Sequence, residues 1–398
     1  MSLTISLPID QAVDRHRYRL IELPPEVAAL FEDYNPDASA GADASIAATP
    51  PRIIIKGGED DEATLCTDTQ TFAVKEVQTS NTLLMICPLG RSPALLPETA
   101  APSTPPMLPY ALKESVFSYI ELIPCPPRLE RLRRMLSESP YNGPDAMDTG
   151  SLYTLGELLS QVQASPGELQ RGLKENEAFE LEGRWRIFDP EFQEQLLNVV
   201  LLGCIEHDKQ IDSLALADVS AMLRDTDYGR VSVEVIAHCL ECFSVQGAPL
   251  ENQSDLVYSL SREKISRFYG KQILSSLKDG ECEYEHFLTE WSRKLSDFLA
   301  DGDEPSLKIL EDLCLVEVIN VGRRVIKFFP KDRLSLEAKQ RLEELFTIRK
   351  KWSRSDLLPY VSDLAPSVKK LDALLLKYTR MSKVDTEVFY TFRYALSE

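Results

Sequence analysis

No stretch of the sequence holds about 18 apolar residues in a row, the length a membrane-spanning helix needs, so no such helix is expected. Met1 to Asp10 places no basic residue ahead of its apolar ones, which argues against a secretory signal. The eight cysteines are scattered through expected helices and strands rather than spaced as a loop-stapling framework, a usage that fits a reducing cytosolic or nuclear compartment. There is no G-x-S-x-G nucleophile elbow and no G-x-x-x-x-G-K-[ST] phosphate loop; Gly57-Gly58 runs into Glu59-Asp60-Asp61-Glu62, which repels phosphate. His207 and His238 read as helix-face residues, since no nucleophile motif accompanies either. Positive charge is also short: 44 Lys and Arg stand against 63 Asp and Glu, a net charge of −19. Phosphate binding draws its affinity from Lys and Arg, so the whole surface is not expected to bind nucleic acid.

What is present is a pattern. From Arg128 onward the chain repeats a helix, a second helix, a third helix and a two-stranded hairpin about every 65–70 residues, the order of a winged helix. In the first copy Leu155, Leu158, Leu159 and Val162 mark one buried helix face. Ser165-Pro166-Gly167-Glu168 announces the next helix with a capping box, and Phe179–Ile187 alternates around Glu182-Gly183 as a hairpin. Later copies are expected over 190–260, 261–329 and 330–398, and a connector with the first copy over 111–189.

Residues 1–110 read differently. Arg52–Lys56, Ala63–Thr67, Thr71–Val77 and Thr82–Cys87 are expected strands, and Leu83-Leu84-Met85-Ile86 is apolar without alternation, so both its faces are expected to be covered. Such a sheet leaves edges. Either a partner supplies strands, against Ile53, Ile55, Leu83, Leu84, Met85 and Ile86, or Arg17–Leu23 completes the sheet internally. Asn35–Pro51 and Pro88–Pro109 read as loops. The fold expectation is therefore α+β: an antiparallel, barrel-like β domain followed by three to four winged-helix units.

Charge is uneven along the array. Residues 190–260 hold 3 basic and 12 acidic residues, whereas 330–398 hold 14 basic and 10 acidic. Arg323, Arg324 and Lys327 on an expected wing, then Arg349, Lys350 and Lys351, then Lys369, Lys370 and Lys377, form the candidate DNA-binding set. The other reading of the basic run is a solvated helix face balanced by Glu337, Glu343 and Glu344. Gln170, Arg171 and Lys174, among Glu168, Glu175 and Glu177, make a mixed surface suited to a protein partner. Cys239, Cys242, Cys282 and His286 can be assembled into a zinc site on paper, but Cys239 and Cys242 sit inside an apolar helix face, so no metal is expected.

Ile55-Lys56-Gly57, Asp60-Asp61-Glu62-Ala63, Leu65-Cys66-Thr67 and Ser80-Asn81-Thr82-Leu83-Leu84, with Tyr119-Ile120-Glu121-Leu122, Pro127-Arg128-Leu129, Trp352-Ser353, Asp356-Leu357-Leu358-Pro359-Tyr360 and Leu374–Tyr378, resemble the Dcc family of sister chromatid cohesion proteins. The resemblance implies a nuclear, non-catalytic subunit, without a cofactor, of the alternative replication factor C clamp loader. Its N-terminal β domain would join the small partner subunit and the tail of the large ATPase subunit. Its winged helices would reach DNA polymerase epsilon, with Gln170, Arg171 and Lys174 as candidate contacts, and DNA, the sliding clamp being handled through the partners. Two rivals stand beside it: a winged-helix transcription or chromatin factor that reads DNA directly, and a scaffold with no nucleic-acid contact.

Overall fold

Five strands near the N-terminus meet in one sheet, the first in the chain beside the last and the second at the opposite edge. The structure, a computed structural model, describes residues 18–32, 52–58, 61–88, 110–250, 256–278, 280–296, 305–320, 322–365, 367–384 and 387–394. It is mixed α+β and divides into two units, Met1–Glu138 with Leu152–Ala178, and Ser139–Ser151 with Phe179–Glu398. The expected loops Asn35–Pro51 and Pro88–Pro109 lie almost wholly outside the described residues.

In the first unit β1 (Leu20–Glu22) leads into α1 (Pro25–Glu32), then β2 (Ile54–Lys56), β3 (Thr64–Cys66), β4 (Thr71–Pro88) and β5 (Tyr110–Pro124). Three helices follow: α2 (Glu130–Leu136), α3 (Leu155–Gln161) and α4 (Pro166–Glu175). Val27, Leu65, Phe72 and Leu122 form the core of the sheet. The helices are fixed to the root of the sheet by polar bonds. Lys56 is 8 % exposed and its Nζ donates to the carbonyls of Val162 (3.1 Å) and Ala164 (2.6 Å), just past the end of α3. Burial lowers the Lys56 pKa, a shift that the nearby Cys66 and Glu168 oppose. Gln163 donates to the carbonyls of Lys56 and Glu62, and Arg128 pairs with Glu62 at 2.7 Å.

The expected capping box at Ser165 is present: Ser165 Oγ accepts from Glu168 N, and Glu168 Oε2 accepts from Ser165 N at 2.9 Å. Glu168 is nevertheless buried rather than exposed, because the same carboxylate also accepts from Thr71 Oγ1 at 2.5 Å.

Several expectations for the sheet are corrected. Thr71–Val77 and Thr82–Cys87 are not two strands but one, β4, carried across a bulge between Gln78 and Leu83. Arg17–Leu23 does supply a strand, but β1 runs parallel to β5 over Leu20–Glu22, so the sheet is not purely antiparallel. Nor does it close among the described residues, where β1 and β2 are its two edges. The sheet also continues past residue 110 through β5, which has no counterpart among the expected strands.

The second unit starts with the hairpin β6 (Phe179–Leu181) and β7 (Arg184–Arg186). Glu182 and Gly183 both have positive φ (52° and 76°), the turn geometry that matches strand twist. Next come α5 (Pro190–Glu206), capped by Asp189, β8 (Leu214–Ala215), α6 (Leu216–Leu223), α7 (Val233–Phe243) and β9 (Val257–Tyr258), which pairs with β8. Then follow α8 (Arg262–Ser275), β10 (Glu281–Glu283), α9 (Tyr284–Leu295), β11 (Cys314–Asn320) and β12 (Arg323–Phe328). The last stretch holds α10 (Ala338–Ile348), β13 (Lys351–Ser353), α11 (Arg354–Val361), α12 (Val368–Tyr378), β14 (Thr379–Val384) and β15 (Glu387–Phe392).

The repeated order is thus uneven. Among the described residues, helices α2 to α4 group with the sheet, whereas the hairpin expected to complete them belongs to the second unit. The second stretch has two-residue strands in place of a hairpin, and the third has a single 3-10 turn, Leu307–Leu310, in place of its third helix. Only the last stretch runs helix, strand, helix, helix, hairpin in full, over sheet β13-β15-β14.

One large core joins the second and third stretches, from Phe192 and Leu196 through Val235 and Tyr258 to Phe287 and Trp291. A second core, around Leu342, Phe346, Trp352, Tyr360 and Leu375, serves the last stretch. Arg341, only 2 % exposed, crosses that core to reach the Ser335 and Tyr360 carbonyls and the Asp363 carboxylate. In the third stretch Arg267 makes a two-pronged pair with Asp312 at 2.7 and 2.8 Å. Burial pushes the Asp312 carboxyl up, but the hydrogen bonds and charge of Arg267 outweigh it and hold it below the ordinary carboxylate value. A depressed carboxyl stabilises the fold above its unfolded-state value and loses that contribution as pH falls through the folded-state value. Asp312→Asn is therefore expected to lower stability by about 1 kcal/mol at neutral pH. The gap in melting temperature from the parent should close as pH drops below about 4; a gap that stays constant to pH 3 would refute this.

Candidate interaction surfaces

The root of the β4–β5 pair is flanked on both sides, by β3 at Thr71–Ala73 and by β1 at Tyr119–Glu121. Beyond Gln78 on β4 and Ser118 on β5 neither edge has a third strand among the described residues, so a two-stranded ribbon projects from the sheet. Register places Leu83 opposite Val116 and Met85 opposite Glu114 on one face, and Leu84 opposite Ser115 on the other, with Phe117 on that second face two residues along. Leu84 is 54 % and Phe117 63 % exposed, and Leu83 and Ile86 are open too. The expectation that both faces of Leu83–Ile86 are covered therefore fails for the described residues of the chain by itself. A single ribbon of this length with two apolar faces and two free edges is a template for further strands.

Ile53 and Ile55, the other expected strand-partner residues, are also exposed but lie at β2, on the far edge near the root. The structure therefore sets the six residues in two places. Phe117 was missed with β5, although Val116-Phe117-Ser118-Tyr119-Ile120 has the β-branched and aromatic composition of a strand.

Gln170, Arg171 and Lys174 all lie on the exposed side of α4, opposite the buried Leu169, Gly172 and Leu173. Gly172 is closely packed: a Cβ there would meet Leu129 at 3.0 Å, so this helix presents only its outer side to a partner.

The nine basic candidates separate by what they touch. Arg324 pairs with Glu285 at 2.6 Å and stacks on Tyr284. Lys327 lies between Glu317 (2.9 Å) and Glu281 (3.2 Å), whose hydrogen bonds hold its ammonium pKa above the ordinary value. Arg349 pairs with Asp356 at 3.0 Å, donates to the Val316 carbonyl and stacks on Trp352. These three are neutralised by acids that the fold brings to them. Arg323, Lys350, Lys351, Lys369, Lys370 and Lys377 are exposed and form no ion pair among the described residues. Lys369, Lys370 and Lys377 lie on α12, and Arg380 and Lys383 on β14 directly after it are exposed as well. Those two are absent from the candidate set; three residues apart on β14, they fall on opposite faces of the strand. The basic surface of the last stretch is thus α12 with β14, and Asp372 within it is occupied by Arg354 at 2.8 Å.

Cys239 is buried within α7, while Cys282 lies on β10. Among the described residues no three His, Cys, Asp or Glu side chains converge as a metal site. Asp61 and Glu62, part of the acidic run, face Arg131 and Arg128.

Comparison with known proteins gives a consistent result. The family model described as sister chromatid cohesion protein Dcc1 matches residues 18–361. The chain is similar to the sister chromatid cohesion protein DCC1 of Mus musculus, 28 % identical over 408 residues that cover 98 % of this chain and 97 % of the relative. It is similar to that of Homo sapiens, 28 % identical over 95 % of this chain and 89 % of the relative. The likeness extends to the DCC1 of Saccharomyces cerevisiae, 22 % identical over 94 % and 96 % of the two chains.

Proposed function

Because the chain belongs to the Dcc1 family of sister chromatid cohesion proteins, we propose that its role in cohesion is that of a non-catalytic nuclear subunit of the alternative replication factor C clamp loader. The projecting β4–β5 ribbon carries this reading: it has apolar residues on both faces, open edges, and a root fixed to α3 and α4. The ribbon receives strands from the small loader subunit and from the C-terminal tail of the large ATPase subunit. The exposed side of α4, with Gln170, Arg171 and Lys174, faces DNA polymerase epsilon. The last stretch reads as a winged helix, its element order being complete, and its α12 and β14 cations meet the DNA backbone. Arg324, Lys327 and Arg349 are structural on this reading, since each already has an acidic partner. ATP hydrolysis and handling of the sliding clamp belong to the partner subunits.

Co-expression with the two loader partners tests the assembly: a complex of all three is expected to survive size-exclusion chromatography, and a chain that elutes alone would sink the proposal. For DNA, Lys369→Ala, Lys370→Ala and Lys377→Ala together are expected to weaken binding to a blunt duplex. They should also flatten the slope of log affinity against log salt by about 0.9 for each phosphate that is no longer neutralised. An unchanged slope removes α12 from the DNA interface and leaves the assembly role standing.

A further inference from the structure

We infer that the open edge of β14 is a docking site for an acidic, extended peptide. The peptide adds antiparallel to the sheet β13-β15-β14, with carboxylates opposite Arg380 and Lys383 and apolar side chains opposite Met381 and Val384. The inference does not depend on the DNA contact proposed for the last stretch, and it gives these two cations a second use.

Among the described residues of the second unit, the edges of the three-stranded sheets are β10, β11, β13 and β14. β10 and β13 have three residues each, and the ladder of β11 is interrupted between Val318 and Asn320. Short length and a bulge are two of the ways in which an edge is kept from pairing. β14 has neither: all six residues from Thr379 to Val384 pair with β15 in unbroken register, and Arg380 to Val384 are all exposed. Its far side offers a row of backbone N–H and C=O groups, with no strand beyond it among the described residues.

The side chains decide what can pair there. Met381 is the partner of the core residue Tyr390, and Lys383 that of Val388, so these two lie on the core-facing side of the sheet; Arg380, Ser382 and Val384 lie on the other side. One cation and one apolar side chain thus flank the edge on each side, Met381 57 % and Val384 49 % exposed. A second copy of the chain is excluded by this arrangement. In the antiparallel register that pairs all six residues of two β14 strands, Arg380 meets Lys383 at both crossings, and like charges directly opposite destabilise a pair. A nucleic-acid backbone also matches the edge poorly, because phosphates accept hydrogen bonds but cannot donate to its carbonyls. An extended peptide does both, which is how a strand is added to an open sheet. Glu387 lies across from Val384 on the β15 side and repels a carboxylate at that end, so an apolar residue is the match there. Read from its own N-terminus, the partner strand is apolar, acidic, polar, apolar and acidic, against Val384, Lys383, Ser382, Met381 and Arg380 in turn.

The full chain is to be titrated by fluorescence anisotropy with a labelled peptide of about eight residues that carries Val-Glu-Thr-Val-Glu at its centre. Saturable binding is expected, and the same peptide with lysine in place of both glutamates should not bind. Arg380→Glu with Lys383→Glu should weaken binding of the acidic peptide at least about tenfold and confer binding of the lysine peptide. Two further acidic peptides, N-methylated at alternate amides in one phase or the other, read the backbone on the unaltered chain. Only every second amide of an added strand faces the sheet, so one phase should lose binding and the other keep it. If the two phases bind equally, the contact is not a strand addition and the docking site is wrong. Absence of saturable binding by the acidic peptide, or a double variant that does not exchange its preference, overturns it as well.

Discussion

Glutamate at Leu84 and Phe117 together is expected to weaken assembly with the proposed small loader subunit by at least about a hundredfold while leaving the melting of the free chain nearly unchanged. The two residues share one face of the ribbon, Leu84 beside Ser115 and Phe117 two positions along β5, and both are mostly exposed. Covering a leucine or phenylalanine side chain is worth about 1.5–3 kcal/mol, so losing both costs about 3–6 kcal/mol, and each 1.4 kcal/mol is about a factor of ten. A carboxylate trapped under a new strand adds a desolvation penalty. In the free chain neither side chain belongs to the core of the sheet, and surface changes of this kind stay within about 0.5 kcal/mol. Size-exclusion of the co-expressed subunits and a circular-dichroism melt of the free chain measure the two sides. Recovery of the complex at the parent's yield would show that strands join elsewhere, with the β2 edge at Ile53 and Ile55 the next surface to alter.

Trp291→Ala is expected to destabilise the second unit by about 3–5 kcal/mol, read as a shift in the urea midpoint followed by circular dichroism. Trp291 is fully buried in α9, its Nε1 donates to the Ser266 carbonyl of α8 at 2.9 Å, and its ring lies 5.4 Å from that of Phe287. The helices meet at backbone level, because a Cβ on Gly270 would stand 3.0 Å from the indole and 2.7 Å from Leu310. So close a fit leaves no neighbour able to fill the space, and the cavity term sets the cost. A change below about 1 kcal/mol would mean that α8 and α9 collapse onto each other without the ring.

The helices were legible where periodicity and caps agree. Ser165 to Glu168 open α4 where their chemistry says they should, and Leu158 and Val162 are fully buried as the stripe they share with Leu155 and Leu159 implies. Three kinds of feature were not legible. β10 and β13 have three residues each, too short for an alternation to register. β4 is interrupted in sequence at Gln78-Thr79-Ser80-Asn81, whose polar letters resemble a turn but form a bulge in which Thr79 Oγ1 donates to the Asn81 and Phe117 carbonyls. The neutralisation of Lys327 depends on β10 and β11 both flanking β12, a tertiary arrangement that no local pattern carries. Among the described residues, the basic candidates stay without an ion pair only where no distant acid comes back to meet them.

On the proposed assembly, the bonds at the root of the ribbon set how a partner strand is received. Lys56 is bound to the carbonyls at the end of α3, and Thr71, the first residue of β4, to the carboxylate that caps α4. The near end of the ribbon is therefore held before any partner arrives, and an incoming strand meets a template that is already in order. Conformational freedom is then lost mainly by the incoming chain, which favours slow release over fast capture. Loosening the root by Lys56→Met, on β2 and not on the ribbon, would shorten the lifetime of a complex formed on the ribbon while leaving every ribbon residue in place.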